Sequence, residues 1–340
     1  MPIRRTPRPN MIKGYSLQAF ARGADCVLHF RWRSATKGAE MFWHGILDHN
    51  NKLGRRYEEF RSLCDTVNEE LQMLEGTTIR NKVALLFSHE QDNAFKFQQQ
   101  ADGFHYYNQL KLFHDGVTRL GAGIDIINIT ANLDQYEVVI APTVYVTSKE
   151  IVDNLTKYVD NGGKLILTNR SGVKDETNAC IMEYLPGPFA SYVGAVVEEY
   201  DALGNDTNKI RLKSGKSYRC NQWADIMQLD TAQSLGTYME DFYQGKSAVT
   251  KNTFGEGEVY YVGTILERDF YRDFMNDVLE GTTVEVFSGL PDGVEVSVRE
   301  DDSSRYLLIF NNTNQVQEVN LTNIKSSILY PFDLKVLPLI

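Results

Sequence analysis

Between Lys82 and Glu280, short apolar runs alternate with amphipathic helical patterns, and this alternation narrows the middle of the chain to one kind of architecture. Val83-Ala84-Leu85-Leu86-Phe87 is continuously apolar, and a stretch from Gly103 to Leu120 then repeats Tyr107, Leu110, Phe113 and Val117 at helical spacing. Ile124–Ile127 and Glu137–Pro142 are two further strand patterns. Ser148–Asp160 reads as a helix carrying Ile151, Val152, Leu155 and Val159, stopped by Asn161-Gly162-Gly163, and Lys164–Thr168 is a fourth strand. A strand without a polar face must be covered on both sides, so the pattern predicts a parallel, doubly wound sheet with helices on each face. Residues 173–250 are less regular and read as several short strands. Gly255–Gly263 turns into another buried strand, and a helix at about 267–280 closes the region.

On either side of this region the pattern changes. From Val284 the period is two: Val294–Arg299 alternates cleanly, Asp301–Ser304 is a turn, and Tyr306–Asn312, Val316–Leu321 and Leu334–Leu339 complete a small antiparallel β domain. At the other end, residues 1–10 are rich in Pro and Arg and should be extended, since each proline pushes its predecessor out of the α region. A helix is expected from Met11 to about Ala24, a strand at 26–32, a loop, and a strongly amphipathic helix from Arg55 to Leu74. That helix–strand–loop–helix set is too small to bury both faces of its own strand, so something else in the protein must cover it.

The 340 residues allow two or three domains. A formal net charge of −10, with no long basic stripe to offset it, argues against nucleic acid as a partner. Cys26, Cys64, Cys180 and Cys220 are widely spaced with no CxxC pair, so reduced thiols in a cytoplasmic protein are expected and a zinc site is not. No apolar run reaches the length of a membrane span, and no apolar segment of a signal peptide follows the basic start.

The stretch Phe30–Gly45 concentrates the recognition chemistry. It holds Arg31, Trp32, Arg33, Glu40, Trp43 and His44 directly after the apolar run Cys26–Phe30. Trp offers a flat apolar face, Arg a fork of donors and Glu two acceptors, a set suited to a sugar with one apolar face and a rim of hydroxyls. Alternatively, these residues are no more than a structural strand end. The doubly wound region lacks both obvious devices for chemistry. Ser88-His89-Glu90-Gln91-Asp92 follows its first strand in place of a G-x-G-x-x-G loop, and the fourth strand ends in Thr168-Asn169-Arg170-Ser171-Gly172, which carries no nucleophile elbow. A structural or oligomerising role is therefore expected for it. His89 and Glu90 have no third metal ligand placed by spacing. Phe95, Phe97, Phe104, Tyr106 and Tyr107 read as core or interface.

The residues Gly14–Asp25, Phe30-Arg31-Trp32-Arg33, Gly38-Ala39-Glu40 and Asp48-His49 resemble glycoside hydrolase family 42 β-galactosidases. The resemblance implies three parts. Residues 1–75 would be the C-terminal end of a (β/α)8 barrel. Residues 76–281 would be a trimerisation domain that is glutamine-amidotransferase-like (flavodoxin-like), and 282–340 a small β-sandwich. It implies that Glu40 binds galactose hydroxyls and that Trp32 and Arg33, matching the family's F-x-W-R, lie in or beside the galactose pocket. The family often has a galactose-binding His three residues after that Glu; here Trp43 holds that position and His44 follows it. Retaining hydrolysis of terminal β-D-galactosides needs two carboxylates about 5 Å apart. In this family they sit on the fourth and seventh barrel strands, so the chain is expected to start after both and to have neither catalytic glutamate. It would be inactive alone: a truncated or mis-started gene product, one part of a split galactosidase completed by a missing barrel chain, or a trimerisation and carbohydrate-binding module. A homotrimer is implied, with no cofactor, no metal and no membrane. An amidotransferase-like enzyme built on residues 82–280 is disfavoured by the absent elbow.

Overall fold

The computed structural model describes residues 5–321 and 326–339. The first four residues of the expected extended start lie outside this range. The chain divides into two compact units. One holds the residues up to Arg80, Arg119–Ala122 and those from Val286 on; the other holds Asn81–Thr118 and Gly123–Glu285.

The first unit begins with α1 (Met11–Ala21) and α2 (Arg55–Glu70). Asn10 does not cap α1 with its side chain. Instead the buried Glu59 of α2 accepts from the backbone N–H groups of Ile12 and Lys13, at 2.8 and 3.2 Å, and binds Arg55 at 3.0 Å. A carboxylate at a helix N-terminus satisfies orphan donors and opposes the helix dipole, so a residue of one helix fixes the start of the other. The strand expected at 26–32 does not form. Leu28 and Phe30 are solvent-exposed, by 91% and 70%, and among the described residues the one bridge nearby is a single parallel one, Arg33 with Leu47. An extended segment is stabilised by ladder partners, and among the described residues only its last two, Arg31 and Trp32, accept from another backbone segment, at Ile46 and Leu47.

The second unit runs β1 (Val83–Phe87), α3 (His89–Phe97), α4 (Tyr106–Thr118), β2 (Asp125–Asn128), β3 (Val138–Ala141), α5 (Lys149–Asp160), β4 (Lys164–Thr168), α6 (Ala190–Val193), β5 (Ala195–Leu212), β6 (Ser217–Leu229), β7 (Gln233–Tyr238), β8 (Ser247–Phe254), β9 (Gly257–Val262), β10 (Thr264–Leu266) and α7 (Arg268–Leu279). All ten strands join one sheet in the order β10-β6-β5-β7-β8-β9-β4-β3-β1-β2. The segment β9-β4-β3-β1-β2 is parallel throughout, and the remainder is antiparallel. Alternate residues of the parallel strands, among them Leu86, Val139, Leu165 and Val259, pack with Ile151, Leu155 and Val159 of α5. Tyr260, of opposite parity, meets Phe274 of α7 ring to ring at 5.8 Å, so helices cover both faces. The short strands expected in 173–250 are instead long: β5 spans 18 residues and β6 spans 13. The helix α3, absent from the sequence reading, starts where the Ser88 side chain accepts from the Glu90 backbone at 3.1 Å.

The first unit ends with β11 (Val294–Glu300), β12 (Arg305–Asn311), β13 (Gln317–Val319), β14 (Ser327–Leu329) and β15 (Leu334–Leu339). β11, β12 and β15 form one antiparallel sheet; β13 and β14 form a second. Val296, Leu307 and Ile309 pack against Val319 and Leu329 of the small sheet. Leu308, Phe310 and Leu334 point the other way and bury Leu17 and Ala21 of α1 with Leu63, Leu71 and Leu74. The cover that the N-terminal helices require thus comes from the C-terminal sheet. Arg299 of β11 pins the junction. Fully buried, it donates to the carbonyls of Phe20, Ala24 and Thr77 at 3.1, 3.2 and 2.9 Å and to Asp25 at 2.7 Å.

Candidate functional site

The loop after Phe30 is held by its own backbone. Leu47 N–H donates to Trp32 O at 2.7 Å, Ile46 N–H to Arg31 O at 2.9 Å and Ser34 N–H to Leu47 O at 3.0 Å. The buried Ser34 hydroxyl accepts from Gly45 N–H at 3.0 Å. Gly45 is there because a Cβ would stand 2.6 Å from Ser34 N and 2.7 Å from Arg33 C, both backbone atoms that cannot give way. Arg56 of α2 ties the loop to the helix by donating to Gly45 O at 2.8 Å and pairing with Asp48. His49 closes the far side against the carbonyls of Ala35 and Met41, at 2.9 and 2.8 Å.

This framework surrounds an open cavity of about 560 Å³ lined by Arg31, Trp32, Arg33, Ser34, Ala35, Thr36 and Asn51. Trp32 meets Tyr57 of α2 edge-on at 6.1 Å and still leaves 55% of its surface to solvent. Glu40 reaches the site through Arg31, whose Nη2 donates to Glu40 Oε2 at 2.6 Å. The Arg31 guanidinium also lies 4.6 Å from the Phe30 ring centre. Of the residues expected at the site, Trp32 and Arg33 line the cavity and Glu40 is joined to it by one ion pair. Trp43 and His44 are exposed and do not line it; the His44 ring sits 3.5 Å from the Thr6 hydroxyl.

Motif reasoning assigns Arg33 to the pocket and gives Arg31 no role, yet Arg31 is the residue that orients Glu40. The spacing of two arginines around one tryptophan could not decide between them. Tyr57 escaped notice because it sits on another element. Among the described residues the lining contains no carboxylate, and Glu40 is the acidic group tied to it by an ion pair. A single carboxylate engaged by arginine can accept hydrogen bonds from hydroxyls but cannot supply both an acid and a nucleophile. Nearby, His29 is held neutral-leaning by burial, which lowers its pKa, and contacts the Ser16 hydroxyl at 3.0 Å. Among the described residues, no group of three or more His, Cys, Asp or Glu is arranged to hold a metal ion, and no helix is long and apolar enough to cross a membrane.

Three family models match the chain in series. They are described as β-galactosidase over residues 1–70, β-galactosidase trimerisation domain over 81–285 and β-galactosidase C-terminal domain over 293–339. The second alone spans more than half of the sequence: the chain belongs to the β-galactosidases of glycoside hydrolase family 42. Among its relatives, β-galactosidase BgaA of Clostridium cellulovorans is 48% identical over 93% of this chain and 48% of its own length. A β-galactosidase structure from Rahnella sp. R3 superposes with a TM-score of 0.93 at 28% identity, covering 99% of this chain and 52% of the other. One from Bacillus circulans sp. alkalophilus gives 0.91 at 25% identity, covering 97% and 52%. The chain spans about half the length of the relatives it matches.

Proposed function

We propose that this chain supplies one wall of a galactoside-binding site and the assembly parts of a family 42 β-galactosidase, without the catalytic pair. The observation that carries this reading is the Arg31–Glu40 ion pair, which presents a fixed acceptor beside a cavity walled by Trp32 and Arg33. In this reading Glu40 accepts from galactose hydroxyls, Trp32 packs on the apolar sugar face and Arg33 donates to ring substituents. Trp43 and His44, both solvent-exposed, complete the rim once sugar is bound. Joined to the rest of a barrel, the site serves retaining hydrolysis of terminal non-reducing β-D-galactosides. The acid/base and nucleophile come from that other part, and no cofactor or metal is required.

The domains in this reading are 1–75, a barrel end; 76–281, trimerisation; and 282–340, a β-sandwich. The parallel strand order β2-β1-β3-β4-β9 supports a flavodoxin-like, amidotransferase-like kinship for the middle part. A homotrimer in the cytoplasm fits the trimerisation match and the unpaired cysteines. The exposed aromatics around the open cavity favour a second reading, a carbohydrate-binding and trimerisation module that needs no barrel partner.

Purified chain should not hydrolyse nitrophenyl β-galactoside, and adding the other half of the Clostridium cellulovorans relative should restore turnover. A Glu40→Ala change should lower the restored kcat/KM at least tenfold. Turnover by the chain alone, with a correct intact mass, would overturn the proposal. Saturation-transfer NMR showing galactose on Trp32 with no restoration by the added half would favour the module.

A further inference from the structure

The C-terminal edge of the parallel strands in the Asn81–Glu285 unit buries two cations that the galactoside reading does not use. Arg170 and Lys174 follow β4 and are 7% and 5% exposed. Arg170 Nη2 donates to Gln100 Oε1 at 2.5 Å, and its guanidinium lies 4.8, 5.1 and 5.6 Å from the ring centres of Trp223, Tyr200 and Tyr145. Lys174 Nζ donates to Gln98 Oε1 at 2.8 Å and Asn178 Oδ1 at 2.9 Å, and lies 5.5 Å from the same Tyr145 ring. Sharing one ring keeps the two charges within about 11 Å of each other. Every hydrogen-bond acceptor of their side chains is a neutral amide. Among the described residues, neither has a carboxylate at ion-pair distance. The buried carboxylate of Asp225 accepts from the Arg170 backbone N–H and attracts the Arg170 charge, but its oxygens are held by Trp223 Nε1 at 2.8 Å and the Tyr261 hydroxyl at 2.7 Å and make no ion-pair contact with the guanidinium.

Removing a charge from water costs several kcal/mol unless an opposite charge compensates it. Buried polar atoms are also nearly always paired. Here Arg170 Nε, both amide atoms of the fully buried Asn169 and Thr147 Oγ1 have no partner, although Thr147 N–H is bonded to the Lys174 carbonyl at 2.8 Å. Four unsatisfied atoms therefore gather at one sheet edge, the edge at which open α/β sheets take their ligands. The covering residues are surface groups: Gln98 is exposed, Gln100 half-buried and Tyr200 53% exposed.

We infer that this edge binds a small monovalent carboxylate, bridged between Arg170 and Lys174 beneath the Gln98–Gln100 loop. Two charge-assisted bonds of about 2.8 Å, one on each side of a carboxylate, span about 8 Å, which falls inside the upper bound of about 11 Å on the separation of the cations. Two cations face the single carboxylate of Asp225, so at least one positive charge is left over, and a monoanion is the smallest charge that balances it. The inference goes beyond the galactoside reading and does not depend on it.

Calorimetric titration of the full chain with sodium formate and sodium acetate, against sodium chloride at equal ionic strength, tests it. Inorganic phosphate provides a dianion arm. A saturable signal with formate or acetate and none with chloride is expected, weakened at least tenfold in Lys174→Met. No saturable carboxylate signal overturns the inference, as does phosphate binding tenfold tighter than either carboxylate. So does a change of oligomer size in Lys174→Met with no small-anion binding in the unaltered chain, because the missing carboxylate then belongs to a second copy. Should Lys174→Met lose its circular dichroism spectrum, Gln98→Ala decides, since removing a competing acceptor from Lys174 should tighten carboxylate binding about threefold; unchanged affinity overturns the inference.

Discussion

Arg299 shows how one side chain can hold distant segments together. Its guanidinium reaches carbonyls contributed by the end of α1 and by the turn after α2, so its loss orphans several buried acceptors at once. An unpaired buried acceptor costs about 1–3 kcal/mol, and we expect Arg299→Ala to destabilise the first unit by about 3–5 kcal/mol in urea unfolding. Arg299→Lys should recover only part, because an ammonium cannot reproduce the fork. Asp25→Asn should cost less than about 1 kcal/mol, since the Asp25 side chain is 80% exposed. Nothing in the sequence announces this arginine: in the alternating run Val294–Arg299 it reads as an ordinary polar position at a strand end. Glu59 was equally hidden, because the backbone donors it caps lie 46 and 47 positions away. Short-range patterns reveal which residue types are present, but not which long-range acceptor each one meets.

Asp273 fastens α7 to the neighbourhood of β6. Burial alone would raise its pKa, but Lys216, the Tyr218 hydroxyl and Arg272 donate to its two oxygens at 2.7–2.8 Å and hold it down to about 2. A carboxyl depressed on folding contributes stability that is fully present above its unfolded pKa near 3.8 and lost as pH falls through about 2. Asp273→Asn should therefore cost on the order of 1 kcal/mol at pH 7, after allowance for solvent screening, and most of the difference from the unaltered chain should be gone once the pH has fallen to about 2. Urea midpoints at the two pH values measure it. The parallel strands could be read from the sequence because a continuous apolar run has few alternatives. The strands β5 and β6 were harder, since register shifts at Val197/Glu199, Asp201/Gly204 and Gly204/Thr207 break their alternation. The helix α3, His-Glu-Gln-Asp-Asn-Ala-Phe-Lys-Phe, is too polar to show a strong apolar stripe. At 26–32 the pattern has the composition of a strand, but pairing partners are not a property that composition can report. In the loop at 30–45 residue types stand out locally, whereas the pairing of Arg31 with Glu40 is decided by the folded backbone.

For the molecule as a whole, the trimerisation match predicts that light scattering of the purified chain will give three times the 38.7 kDa monomer mass. A monomer at micromolar concentration would show that the middle unit does not suffice for assembly. The pairing of α1 and α2 with the C-terminal sheet has a consequence for biosynthesis. The unit from Asn81 to Glu285 can complete its sheet as soon as Glu285 leaves the ribosome, but the apolar faces of α1 and α2 have no cover until β12 and β15 are made. The helices α1 and α2 are therefore made before the Asn81–Glu285 unit but buried after it, and they stay as exposed apolar surface while that unit is synthesised. Ribosome-bound chains halted after Glu285 should recruit holdase chaperones through residues 11–74, whereas released full-length chains should not.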